Sequence, residues 1–148
     1  MQKPMRGWGK RLSGLLILAV TAGASLLFNS MGQAEQPAVY HLDFRRGVQP
    51  GEGADTELAR IVRDAVARDQ AAIIVTGHTG TLGDTQANQA LSARRAQVIE
   101  QRLTDEGVDA DRITTGGVAG AEPLERRDDE SDRAYQRRLA RVDVTVRP

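Results

Sequence analysis

A chain of 148 residues leaves room for one modest domain and a targeting segment. It contains no cysteine, which excludes a disulfide framework, a thiolate metal site, a cysteine nucleophile and a lipid-modified N-terminus. Lys plus Arg and Asp plus Glu each number 20, but the bases Lys3, Arg6, Lys10 and Arg11 precede every acid. From Glu35 onward 16 bases therefore face 20 acids, a net charge of about −4 that argues against wholesale nucleic-acid binding. All 16 are arginines, whose planar fork suits carboxylates and phosphates, although a GC-rich genome produces the same bias.

The N-terminal segment is basic (MQKPMRGWGKR), and Leu15 to Phe28 is an uninterrupted run of apolar and small residues followed by the polar NSMGQAEQP. This is the order of a secretory signal, with Gly32 and Ala34 at the small-residue positions and cleavage expected after Ala34. The expected organisation is a signal peptide over 1–34 and one domain over 35–148. The alternative is an uncleaved anchor, because Leu15 to Met31 reaches the lower limit of about 17 residues for a spanning helix. Both readings place the body in the periplasm, with any membrane contact through the N-terminal segment.

From Pro37 the pattern alternates between strand and helix. Ala38 to Phe44 sets Tyr40, Leu42 and Phe44 on one face and Val39, His41 and Asp43 on the other, the period of a strand. Gly47, Pro50, Gly51 and Gly53 break the chain. Leu58, Ile61, Val62, Ala65 and Val66 then predict an amphipathic helix with Asp55 as N-cap. Ala71 to Gly77 is a continuous apolar run, expected as a strand covered on both faces. A long helix is predicted from about Thr85 to Glu106, capped by Asp84, stopped at Gly107, and directing Leu91, Val98, Ile99 and Leu103 inward. A third strand follows in DRITTGGV and a fourth in LARVDVTVRP. Between them, residues 121–138 are too polar for core and are expected as a solvated excursion or a docking surface for an envelope protein. The fold class is α+β: a two-layer β-α-β-α-β-β sandwich whose mixed sheet is covered by two helices on one face. The two crossovers are expected to impose parallel pairing on three strands.

Asn88, Ser92 and Arg95 are spaced i, i+4, i+7 and share one helix face, next to the loop that leaves the second strand. Ends of strands and starts of helices are where α/β folds bind ligands, because free backbone N–H groups point outward there. An arginine fork, an amide and a row of loop N–H groups would suit a carboxylate-bearing ligand. A solvated helix face explains the same spacing.

In order along the chain stand FRRGV (Phe44 to Val48), VTGHTG (Val75 to Gly80), NQALSARRAQVI (Asn88 to Ile99), DEGVDADRITTGGVAG (Asp105 to Gly120) and ARVDV (Ala140 to Val144). In this the body resembles the OmpA-like C-terminal domain, the peptidoglycan-associating module shared by OmpA, the Pal lipoprotein and the stator protein MotB. The resemblance covers essentially the whole body. It implies a non-catalytic, cofactor-free envelope protein that associates with peptidoglycan, or the same fold repurposed for protein contact. In the family, the aspartate of GHTD and the arginine of the RA dipeptide grip the zwitterionic end of diaminopimelate in the stem peptide. Here the arginine is Arg95 and the asparagine Asn88, with Thr79, Ser92 and Arg141 as the remaining site residues. The aspartate is Gly80. The family's NRRV ending is also eroded, with Leu139 and Ala140 in place of its asparagine and first arginine and only Arg141 and Val142 kept. The resemblance therefore implies weak or altered binding. A positive φ at Gly80 would further tax an aspartate there.

Enzyme readings find little support. His41, Asp43 and His78 suggest a zinc set by residue type alone, but His78 belongs to the family's turn. Ser92 near His78 suggests a hydrolase, yet no nucleophile elbow surrounds it. Neither a catalytic group nor a metal ligand is assigned.

Overall fold

Alternation in the first strand and the 3.6-residue period of the two helices generate a single apolar layer, and the structure, a computed structural model, describes residues 36–148. The leader and its expected cleavage site lie outside the described residues. Strand β1 (Ala38–Arg46) turns through Gly47, at φ 54°, into the two-residue β2 (Gln49–Pro50). Helix α1 (Ala54–Ala67), β3 (Ala72–Gly77), helix α2 (Thr85–Asp105), β4 (Ile113–Gly117), helix α3 (Asp132–Leu139) and β5 (Arg141–Arg147) follow.

Leu42 and Phe44 of β1, Ile73 and Val75 of β3 and Val142, Val144 and Val146 of β5 bury one face of the sheet. Against it pack Leu58, Ile61 and Ala65 of α1 and Ala96, Ile99 and Leu103 of α2. The expected α+β two-layer class holds. Leu91 and Val98 reach the margin of that layer rather than its centre, and Val66 stands 66% exposed. The strand β3 is not covered on both faces: Ile73, Val75 and Gly77 are buried while Ile74 and Thr76 are half-exposed, because α1 and α2 pack on the same side.

Strand order is β2-β1-β5-β3-β4. The expected parallel set is corrected here. Only β3 and β4 pair in parallel, from Ile73↔Ile113 to Gly77↔Gly117, whereas β5 lies antiparallel between β1 and β3. The physical reason is burial. With three valines fully inside, β5 gains most from the centre, and the glycine- and threonine-rich β4 takes an edge.

Helix ends follow local chemistry. Asp84 caps α2 by accepting from Ala87 N–H at 2.7 Å, and Gly107 (φ 92°) lies just past its end, as the sequence predicts. Asp55 is not the cap of α1. Gly53, at φ 83°, takes that place, and Asp55 sits in the first turn, where its charge opposes the helix dipole and meets Arg102 of α2 at 2.5 Å. The C-terminal carbonyls at the other end of α1 are met by Arg112, whose Nη2 donates to Ala65 O (2.9 Å) and Arg68 O (2.7 Å).

The polar excursion is ordered and ends in α3, with Leu139 fully buried at its last turn rather than opening the fourth strand. Ser131 caps it. Arg138 forks onto Glu130 at 2.9 and 2.8 Å, and hydrogen bonding to Arg138 holds the Glu130 carboxyl at about 2. Tyr135 donates to Leu124 O at 2.9 Å, with the Arg126 and Arg138 guanidinium groups over its ring.

Helix α2 meets the sheet backbone against backbone. A Cβ placed on Gly77 would lie 1.9 Å from Ser92 O, and one on Gly117 would lie 2.3 Å from Ala93 N. Helix α2 therefore rests directly on β3 and β4. Gly77→Ala is expected to cost about 3 kcal/mol of stability, at the upper end of overpacking penalties, measured by urea denaturation. A loss below about 0.5 kcal/mol would show that the helix lifts freely.

Candidate functional site

Because α2 lies so close to β3, the residues that leave β3 meet its first turns. Thr79 is buried; its N–H donates to Ala119 O at 2.9 Å and its hydroxyl to Gly80 O at 3.1 Å. Ser92 is fully buried, donating to Gln89 O (2.9 Å) and accepting from Ala119 N–H (3.1 Å). Asn88 holds the loop by donating to Leu82 O at 2.9 Å. These three residues lock the loops after β3 and β4 to the start of α2. Ser92 has no hydrogen bond to His78, so the pair is not arranged as nucleophile and base.

Arg95 is 4% exposed. Its Nε donates to Gly47 O in the β1–β2 turn and its Nη1 to His78 O at the end of β3, both at 2.8 Å, while the guanidinium lies 5.4 Å from the Phe44 ring centroid. Burial pushes its pKa below the ordinary arginine value. Nη2 is the nitrogen that neither bond uses. The residue is thus a strut between three elements with one donor edge left over.

Gly80 does not adopt a positive φ, so the expected strain on a side chain there is absent. Its space is instead occupied. A Cβ on residue 80 would lie 2.4 Å from Oε1 of Gln136, which comes from α3. That oxygen accepts from Thr81 N–H at 2.9 Å, and Gln136 Nε2 donates to Thr81 Oγ1 at 2.9 Å. The amide orientation is set by the Thr81 N–H, which can only donate.

On the open face of the sheet a second polar group gathers around Asp143 of β5. Its carboxylate faces His41 Nδ1 at 2.7 Å, and the Arg141 Nε contacts both of its oxygens at 3.0 Å. His78 Nε2 lies 3.1 Å from Asp143 Oδ2 but off the hydrogen-bonding direction. Burial pushes the Asp143 carboxyl up, but contacts from His78, His41 and Arg141 outweigh it and hold the group below the usual carboxylate range. Arg141 Nη1 and both His78 ring nitrogens are buried without a hydrogen bond. The carboxylate between the two rings belongs to Asp143 and not to Asp43, and a guanidinium already fills the cation's place beside it. Among the described residues no group of three or more His, Asp or Glu side chains is placed to hold a metal.

The structure brings Thr79, Gly80 and Arg95 together at the end of β3, with Ser92 beneath them and Asn88 at the loop. Arg141 is tied to this group through its backbone, since His78 N–H donates to Arg141 O at 2.9 Å, while its side chain turns to Asp143. Sequence reasoning missed Gln136 and Asp143. Gln136 gives no signal in a polar stretch, whereas Asp143 stands two residues from Arg141 on an alternating strand, a spacing that puts both on one face.

Breaking the Asp143 group leaves Arg141 buried without its counter-charge. Asp143→Asn is expected to cost about 3 kcal/mol near neutral pH. Because the folded carboxyl is held below its unfolded value, its contribution is complete above about pH 4 and fades as pH falls further through the folded value. Urea titrations of both proteins between pH 7 and 2.5 should show a gap that is constant down to about pH 4 and narrows from there toward pH 2.5. A gap that closes between pH 7 and 5 would contradict this assignment.

Residues 51–137, more than half of the chain, match the OmpA family. Outer membrane protein A of Bordetella avium is 32% identical over 97 residues, 66% of this chain and 50% of that protein. The chain spans half or less of the length of the curated relatives it matches. In fold it is similar to the peptidoglycan-associated lipoprotein of Burkholderia pseudomallei (TM-score 0.65, 18% identity, 73% of this chain and 90% of that one). It is also similar to the cell wall anchor of the type VI secretion system of Pseudomonas aeruginosa (TM-score 0.57, 24% identity, 84% and 94%). Family match, two-layer fold and the β3–α2 junction agree: the chain belongs to the OmpA family.

Proposed function

We propose that this domain is a non-catalytic peptidoglycan-associating module of the periplasm and that its hold on the diaminopimelate stem peptide is weak. The observation that supports this most is Arg95, fixed at the end of β3 with one donor edge unused by the fold. The similar folds of the peptidoglycan-associated lipoprotein of Burkholderia and the cell wall anchor of Pseudomonas support the ligand class. Among the described residues no helix is long and apolar enough to cross a membrane.

In this reading Arg95 Nη2 and the loop N–H groups receive a ligand carboxylate. Asn88, Thr79 and Ser92 hold the loop in shape rather than touch the ligand, as the burial of the last two requires, and Arg141 anchors the strand behind it. Gly80 offers no counter-ion to an ammonium. One charge-assisted hydrogen bond of about 1.5–3 kcal/mol is forfeited, which weakens binding roughly tenfold to a hundredfold.

Co-sedimentation with isolated sacculi tests the proposal. The wild-type domain should sediment measurably. Arg95→Ala should reduce the bound fraction at least tenfold in affinity and also destabilise the fold by about 3 kcal/mol, because the Gly47 and His78 carbonyls lose their donors. Gly80→Asp separates recognition from stability: only the flexible end of Gln136 must move, so the domain stays folded and should bind about tenfold tighter through the restored pair. No sedimentation by either wild type or Gly80→Asp would overturn the peptidoglycan reading in favour of protein contact.

A further inference from the structure

Beside Gly80, a hollow of about 430 Å³ opens between the end of β1 and α3. Phe44 and Arg45 form one wall, Leu82 the loop side, and Arg133, Gln136 and Arg137 the helix side. Its charge is one-sided. Asp132 is the acid in its lining, and Arg126 already holds that carboxylate at 2.5 Å. Arg45 is paired with Glu52. Arg133 and Arg137 lie one helical turn apart, with no ion pair or side-chain hydrogen bond among the described residues. Two unpaired guanidinium forks over a wall of Phe44 and 70%-exposed Leu82 suit a carboxylate on a partly apolar stem. An ammonium entering the same hollow meets no free anion; the group nearest to position 80 is the neutral carboxamide of Gln136, held by Thr81. Asp43 faces the adjoining 560 Å³ hollow across Arg45.

Building on the peptidoglycan reading, we propose that this hollow is a carboxylate-selective subsite. Arg133 and Arg137 hold an anionic end of the stem peptide, and Gln136 is the specificity-determining residue that puts a neutral wall where a charged one would read an ammonium. Recognition thus extends from the loop after β3, where Arg95 lies, to α3. The site therefore reads the carboxylates of its ligand and is indifferent to the amine.

Three probes test this with the full domain by calorimetry: the tripeptide L-alanyl-γ-D-glutamyl-meso-diaminopimelate, the same peptide with its carboxylates amidated, and the same peptide acetylated on its diaminopimelate amine. Amidation should weaken binding at least tenfold and acetylation by less than twofold. Arg133→Gln with Arg137→Gln, both on the exposed face of α3, should abolish the sensitivity to amidation. Gln136→Glu keeps an acceptor for Thr81 N–H and adds a charge at the same place, so acetylation should now cost about tenfold. The subsite is overturned if wild type discriminates against the acetylated peptide by tenfold, if amidation has no effect, or if the double variant remains as sensitive to amidation as wild type. Binding of sacculi with no binding of any tripeptide also overturns it, while leaving the peptidoglycan reading intact. Absence of binding to sacculi and to every tripeptide overturns both.

Discussion

The direct seating of α2 on β3 and β4 is the constraint from which the rest of the molecule follows. Gly77 and Gly117 allow helix backbone to touch sheet backbone, and that proximity is what carries the buried Arg95 over the end of β3, within reach of His78 O and Gly47 O. With larger residues at those two positions the helix would stand off by the thickness of a side chain. The arginine would then span a gap instead of bracing one, and the β1–β2 turn would lose its tie to the core.

This geometry commits two of the three guanidinium nitrogens of Arg95 to the fold. Nε and Nη1 are bonded to backbone carbonyls, so the guanidinium is held in place and Nη2 is the donor that remains for the proposed ligand. Such pre-organisation lowers the entropy cost of binding but also limits the contact to fewer hydrogen bonds than a free fork would make. Under the proposed function, substitution of such a residue reads out on stability and on binding together. The Asp143 group on the opposite face is simpler. There one carboxylate balances one buried arginine and also faces two imidazoles, and its effect is on the cohesion of β1, β3 and β5.

Much of this was legible in the sequence where periodicity is strong. The inward faces of β1 and α1, the Asp84 cap of α2 and the α+β two-layer class rest on spacing and capping chemistry that act locally. Strand order was not legible, because the crossovers fix the direction of β1, β3 and β4 but say nothing about which strand lies between them. That is decided by the burial of Val142, Val144 and Val146. Helix α3 was hidden for a different reason: its stability comes from the Glu130–Arg138 fork and from Tyr135 beneath two guanidinium groups, contacts that have no hydrophobic period. The role of Gln136 was invisible for the same cause. At the site, the sequence located Arg95 and the empty position 80 but could not show that a distant helix fills that space.

The central placement of β5 has a consequence for how the chain acquires its structure. Strands β1 and β3 have no hydrogen bonds to each other, and each pairs instead with β5, the element that follows all the others in chain order. A continuous sheet therefore cannot close on a nascent or partly delivered chain, whatever local helix has already formed. Such a topology is rich in non-local contacts and folds late. In a chain made from its N-terminus, the earlier segments lack this keystone and stay extensible until β5 arrives.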